Sequence, residues 1–155
     1  LGGPASFQSS LIRILTERGI AVTHDPLNSA VSAILLIGGA QHPGDVFRAQ
    51  RLGVRVVQRL NGMNWVHRKK FTGIRHFIKA EYGNLLLSNI RRRADRIVYQ
   101  SEFSRSWWER IYGKLDVPQT VIYNGVNLDQ FSPEISNPPM DHYRVLMVEG
   151  HLGGC

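Results

Sequence analysis

The sequence predicts an α/β domain, a parallel sheet with helices packed on both of its faces. Three observations point there. Short apolar runs recur along the chain, each the length of a buried strand. Stretches with apolar residues at helical spacing separate them. The strand-like run that ends in Asn124-Gly125 has no returning strand close after it to make a hairpin. Strands joined through helices, and not through tight turns, must lie parallel.

The elements follow in order. Phe7, Leu11, Ile14 and Leu15 fall on one helical face and Gly19 stops the run, which predicts a helix over Ser6 to Arg18. "AILLIGG" (Ala33 to Gly39) is a buried strand closed by glycines. "PGDVFRAQRLG" (Pro43 to Gly53) opens on proline and closes on glycine, a short helix. "VRVVQRL" (Val54 to Leu60) is the next strand. Ile74, Phe77, Ile78, Tyr82, Leu85, Leu86 and Ile90 form an apolar stripe, predicting a long helix over Gly73 to Ala94 with that stripe facing the core. "RIVYQ" (Arg96 to Gln100) is a strand, and Ser101 is the N-cap of the helix "EFSRSWWERIY". On that helix Phe103, Trp107 and Ile111 share a face, so Trp107 is expected in the core, and Gly113 is the stop. "QTVIY" (Gln119 to Tyr123) is the last strand of this unit. Ser136 to Tyr143 has the composition of a linker, and "RVLMVEG" starts a new strand.

Bulk properties narrow the class. The 155 residues suffice for one domain with a real core, and 43% hydrophobic against 20% charged residues describes a globular chain. The longest apolar stretch, Ala30 to Ala40, is too short to cross a bilayer. No basic-then-apolar leader opens the chain, and the lone Cys155 has no internal partner, so a cytoplasmic, reducing setting is expected. The chain opens on Leu1 and stops just after a fresh strand, which predicts a fragment lacking its first strand and most of a second domain. Net charge is +7 and uneven: Arg48 to Arg96 carries thirteen Lys or Arg against Glu81 and Asp95, a local +11, and the remainder sums to −4. That asymmetry implies an anionic partner. Five of the histidines, His24, His42, His67, His76 and His142, show no metal-ligand spacing, and no metal site is expected.

Four stretches taken in order carry a resemblance: "GGPASFQSSLIRILTERGI", "ADRIVYQSEFSRSWWERIYG", "VIYNGVNLDQFSP" and "RVLMVEG". Together they resemble the N-terminal half of retaining GT-B glycosyltransferases of family 4. The resemblance implies a Rossmann-like acceptor-side domain over residues 1–135, a linker over 136–143, and the first strand of a donor-binding domain over 144–155. It implies a nucleotide-diphosphate sugar as donor substrate, no cofactor, and a glycan or lipid-linked acceptor. The run-out after Tyr123 then leads towards the second domain, with Val126 and Phe131 as anchors and Asn124 and Gly125 shaping the exit.

The site residues follow from the fold class and the resemblance together. Gly2 and Gly3 precede a helix N-terminus, where free amides and the helix dipole suit a phosphate; an ordinary tight turn is the alternative. "QRLNGMNW" (Gln58 to Trp65) lies at a strand's carboxyl end, where open α/β sheets bind ligands. There Asn61 offers hydrogen bonds to a sugar hydroxyl, Arg59 suits an anionic acceptor or a phosphate, and Gly62 and Asn124 belong to the acceptor side. Relatives carry a histidine near this place, and here Arg59, Asn61 and Gly62 stand instead. Gly150 and His151 occupy the loop that in relatives holds the donor diphosphate. "WVHRKKFTGIRHFIK" (Trp65 to Lys79) interleaves basic and aromatic residues, a pattern suited to an anionic membrane at its inner face or to a polyanion. A basic nucleic-acid or polyanion-binding module is the rival reading, although no nucleic-acid motif is present. A dinucleotide-binding oxidoreductase is the third, but "LIGGAQHPG" lacks the required glycine spacing.

Overall fold

The computed structural model describes residues 3–40, 42–125 and 141. Four parallel strands form one sheet in the order β1-β2-β3-β4: β1 (Ala33–Ile37), β2 (Arg55–Leu60), β3 (Arg96–Tyr99) and β4 (Gln119–Val121). Helix α1 (Gly3–Glu17) precedes β1; α2 (Pro43–Arg51), α3 (Ile74–Arg93) and α4 (Glu102–Tyr112) join successive strands. Each helix and strand predicted up to Tyr123 is present among the described residues. The first helix begins earlier than its periodicity indicates, at Gly3. The last strand is shorter, although the Ile122 amide still donates to the Tyr99 carbonyl at 2.9 Å and prolongs the ladder.

Register assigns every side chain to a face. Leu36, Gln58, Ile97 and Gln119 align across the sheet, as do Ile37, Arg59, Val98 and Thr120 on the other face. The first face meets the core: Leu36, Val56, Leu60, Ile97 and Tyr99 pack with Val46 of α2, Ile90 of α3 and Trp108 of α4. Each crossover steps to the adjacent strand in the same direction, so crossovers of one hand put α2, α3 and α4 on the same face. The expectation of helices on both faces is therefore met unevenly among the described residues. The second face receives Phe7 of α1 against Arg59, while Leu35 and Ile122 stay exposed.

Two helices bury faces other than those their apolar spacing predicts. On α3 the buried residues include Ala80, Asn84, Ser88, Ile90 and Arg91; of the predicted stripe Ile90 is in the core and Leu86 half-buried, while Ile74, Phe77, Ile78, Tyr82 and Leu85 are exposed. Small residues let the helix approach closely, and each large polar group that goes inside finds partners. Asn84 is bonded both ways to the Asn64 backbone, at 3.0 and 2.7 Å. Arg91 donates to the Tyr99 hydroxyl at 3.1 Å and the Gly113 carbonyl at 2.7 Å. On α4 it is Trp108, not Trp107, that is fully buried, with Ser104 one turn before it. A buried tryptophan needs an acceptor for its indole N–H, and Trp108 has one in the Asn61 carbonyl at 2.9 Å. Trp107 lies further out, stacked on Trp65 and edge-on to Phe103. Ser101 caps α4 as predicted, accepting from the Ser104 amide at 3.1 Å.

Candidate functional site

The site grows from the carboxyl end of β2. Arg59 is its last residue but one and sits on the sheet face opposite the core, yet only 4% of it is exposed. Its guanidinium donates to Asn61 Oδ1 at 2.8 Å and to Asn124 Oδ1 at 2.6 Å. The Phe7 ring covers it, with the guanidinium carbon 3.9 Å from the ring centroid. Phe7 lies one turn into α1, so the start of that helix, Gly3, is brought near the same edge.

These partners are all neutral. Among the described residues Arg59 forms no ion pair. Burial lowers its pKa from the ordinary arginine value, but arginine keeps its charge in proteins. A buried cation without a counter-charge is costly unless an anion completes it. The N-terminus of α1 begins one turn before Phe7, and helix N-termini favour anions.

The loop after β2 is fastened by its main chain. The Asn61 carbonyl accepts from both the Ser104 hydroxyl and the Trp108 indole at 2.9 Å. Gly62 follows on the exposed side with open space around it, so a ligand can approach the backbone there. Further along, Met63, Asn64, Trp65, Val66, His67, Thr72 and His76 line a cavity of about 300 Å³. His67 lies on a short 3-10 turn, Val66–Arg68. Its Nε2 is 2.7 Å from Glu81 Oε1, and its Nδ1 is buried with no partner. Arg68 forks onto the same carboxylate at 2.6 and 2.8 Å. Arg68's hydrogen bond holds the Glu81 carboxyl below its usual pKa, and His67 adds to the effect.

The structure thus brings Arg59, Asn61 and Asn124 into one hydrogen-bonded group and sets Gly62 beside it. Gly3 begins the helix that reaches it through Phe7. Gly2, Gly150, His151, Val126, Phe131, the linker and the late strand lie outside the described residues. Sequence reasoning missed two features. One is Phe7 as the cover of Arg59. The other is the pairing of buried His67 with half-buried Glu81, whose members are too far apart in sequence to share a motif. No group of His, Cys, Asp and Glu among the described residues is arranged to hold a metal ion, and no described helix is long and apolar enough to cross a membrane.

A sheet of parallel strands with polar groups gathered at its carboxyl edge is the plan of an α/β ligand-binding domain. The model of Glycosyltransferase Family 4 matches residues 2–130. The chain belongs to that family, and its parallel sheet with flanking helices is the α/β, Rossmann-like architecture expected of a domain from it. No curated protein and no solved structure matches the chain.

Proposed function

We propose that this chain is the acceptor-side half of a GT-B enzyme that moves a sugar from a nucleotide-diphosphate sugar to a glycan or lipid-linked acceptor, retaining the anomeric configuration. One observation carries the reading: Arg59, a buried cation with only neutral partners, lies at the carboxyl edge of the sheet in a chain of this family. Transfer breaks the bond between the sugar's anomeric carbon and the diphosphate, and negative charge gathers on the departing phosphate. Fixed cations and amides that meet that charge lower the barrier without moving. Arg59 supplies a cation to the phosphate or to an anionic acceptor, and the amides at Gly2 and Gly3 supply N–H donors. The Asn61 oxygen is held by Arg59, so its amide N–H groups are turned to sugar hydroxyls. Gly62 and Asn124 border the acceptor, Gly150 and His151 belong to the donor side, and no cofactor takes part. The enzyme works in the cytoplasm, at the inner face of the membrane when its acceptor is lipid-linked.

The test uses the chain in its natural full-length context. A panel of UDP-, GDP- and ADP-sugars is screened by calorimetry for binding and by nucleotide release for turnover, with Gly3→Trp as the control. One donor should bind and release its nucleotide, and Gly3→Trp should weaken both about tenfold or more. If no nucleotide sugar binds, the reading fails. The exposed arginines at the amino edge, among them Arg55, Arg92, Arg93 and Arg96, favour the polyanion-binding alternative, which salt-dependent retention on DNA would then support.

A further inference from the structure

We propose that the cavity between Met63 and His76 is a second sugar subsite, which holds a neutral residue of a glycan acceptor next to the residue that reacts. Neither Arg59 nor Asn61 lines it. The cavity measures about 300 Å³. That is many times the roughly 10–15 Å³ that one water needs, and it reaches the lower end of the volumes that hold small ligands. Trp65 forms an aromatic wall, kept in place by its stack on Trp107 with 6.1 Å between the ring centroids. Asn64, His67, Thr72 and His76 bring polar groups to the same space. The loop wall is fixed, because the Asn84 side chain is bonded both ways to the Asn64 backbone.

His67 identifies the chemistry. Its side chain is 1% exposed. Its Nε2 faces the Glu81 carboxylate at 2.7 Å, which puts the proton of the neutral ring on Nε2 and leaves Nδ1 an acceptor. That Nδ1 is buried and has no donor, a costly state that a hydroxyl entering the cavity relieves. Thr72 Oγ1 lies 2.8 Å from His76 Nδ1. A hydroxyl both donates and accepts, so Thr72 keeps capacity for a further bond. No Lys, Arg, Asp or Glu among the described residues lines the cavity, so nothing on its wall answers a charge on the ligand. The surroundings call for a neutral ring with C–H groups on its face and hydroxyls around its edge, which is the build of a sugar. The C–H groups meet the negative face of the Trp65 ring, and the hydroxyls meet His67 and Thr72. Asn64 follows Asn61 by three residues, so their Cα atoms are at most about 11 Å apart. One oligosaccharide can therefore touch both Asn61 and the cavity. The subsite stands on this geometry, and its assignment to the acceptor rests on the glycosyltransferase reading.

Saturation-transfer NMR on the full chain tests it. The probes are the methyl glycosides of glucose, galactose, mannose and N-acetylglucosamine, disaccharides of the same sugars, and methyl glucuronide as the charged counterpart. At least one neutral glycoside should bind, and the glucuronide should not. Thr72→Val keeps the shape of a half-buried side chain and should weaken that binding about tenfold. Trp65→Ala, at an exposed position, should weaken it at least as much. In imidazole nitrogen spectra the His67 Nδ1 signal should move as the sugar saturates the site. A disaccharide should bind about tenfold more tightly than its single sugar, and Asn61→Ala should remove that gain. The proposal is overturned if no neutral glycoside binds, or if Trp65→Ala and Thr72→Val both bind as well as wild type. Disaccharides that bind no better than single sugars would sink the assignment to the acceptor. Nucleotide-sugar binding, measured by calorimetry on the same samples, keeps the two readings apart. Donor binding without glycoside binding sinks the subsite alone, and glycoside binding without donor binding sinks the enzyme alone.

Discussion

Arg91 and Arg59 are two buried arginines, and neither has a carboxylate partner among the described residues. Arg91 is fully enclosed on the core face and ties three elements together: it projects from α3, donates to Tyr99 of β3 and donates to Gly113 at the end of α4. Arg59 is at the rim of the opposite face, and its partners are two side-chain carboxamide oxygens in loops. Asn61 is half-buried and Asn124 exposed, so water can replace what they receive from Arg59. Tyr99 and Arg91 are both fully buried, so no water can replace what the Tyr99 hydroxyl receives from Arg91 without opening the core. The same chemistry serves as a fastening in one place and as an unfilled charge in the other. Arg68 is the ordinary third case, an outer arginine forked onto Glu81.

The largest expected effect tests the fastening. Arg91→Ala leaves a cavity and strands two acceptors, and should cost about 3–5 kcal/mol in urea unfolding. Arg91→Met fills most of the space and should cost markedly less. Equal losses in the two variants would show that the hydrogen bonds, and not the volume, hold the three elements together. The second prediction tests the unfilled charge. Arg59→Met should change stability by less than about 1 kcal/mol while weakening nucleotide-sugar binding about tenfold or more. A stability loss as large as that of Arg91→Ala would erase the contrast and make Arg59 a structural residue.

The smallest effect concerns Arg68. The Glu81 carboxyl has a lowered pKa in the folded chain, mainly through its hydrogen bond to Arg68. A lowered folded-state value adds stability above the unfolded pKa of about 4.3, and that stability is lost as pH falls through the folded value. Wild type should therefore exceed Glu81→Gln in stability at neutral pH, by under about 1 kcal/mol because the pair is partly exposed and screened. The gap should close as the pH drops below about 4. A gap that persists in strong acid would mean that Glu81 acts through packing and not through its charge.

The strands were legible because a buried parallel strand is a short apolar run, and "AILLI" and "RIVY" are little else. The helices were legible as helices, but not in the way they turn. Periodicity counts apolar residues, and on α3 the inward side was decided by small size and by satisfied polar groups such as Asn84 and Arg91. On α4 one acceptor for the Trp108 indole settled the rotation. In the site, Arg59 and Asn61 could be picked out because both stand at a strand's carboxyl end. The sequence had also placed Asn124 on the acceptor side, but as part of an exit turn. That its side chain reaches Arg59, two strands away, depends on how β2, β3 and β4 lie side by side.

The double anchorage of the Asn61 carbonyl by Ser104 and Trp108 bears on how such a chain can diversify. A main-chain oxygen is the same whatever side chain its residue carries. The path of the loop after β2 is therefore set by α4 and is indifferent to the chemistry displayed at position 61. Residues there can be exchanged to suit a different acceptor while the scaffold beneath them keeps its shape, so a library randomised at Asn61 and Gly62 should yield mostly folded proteins.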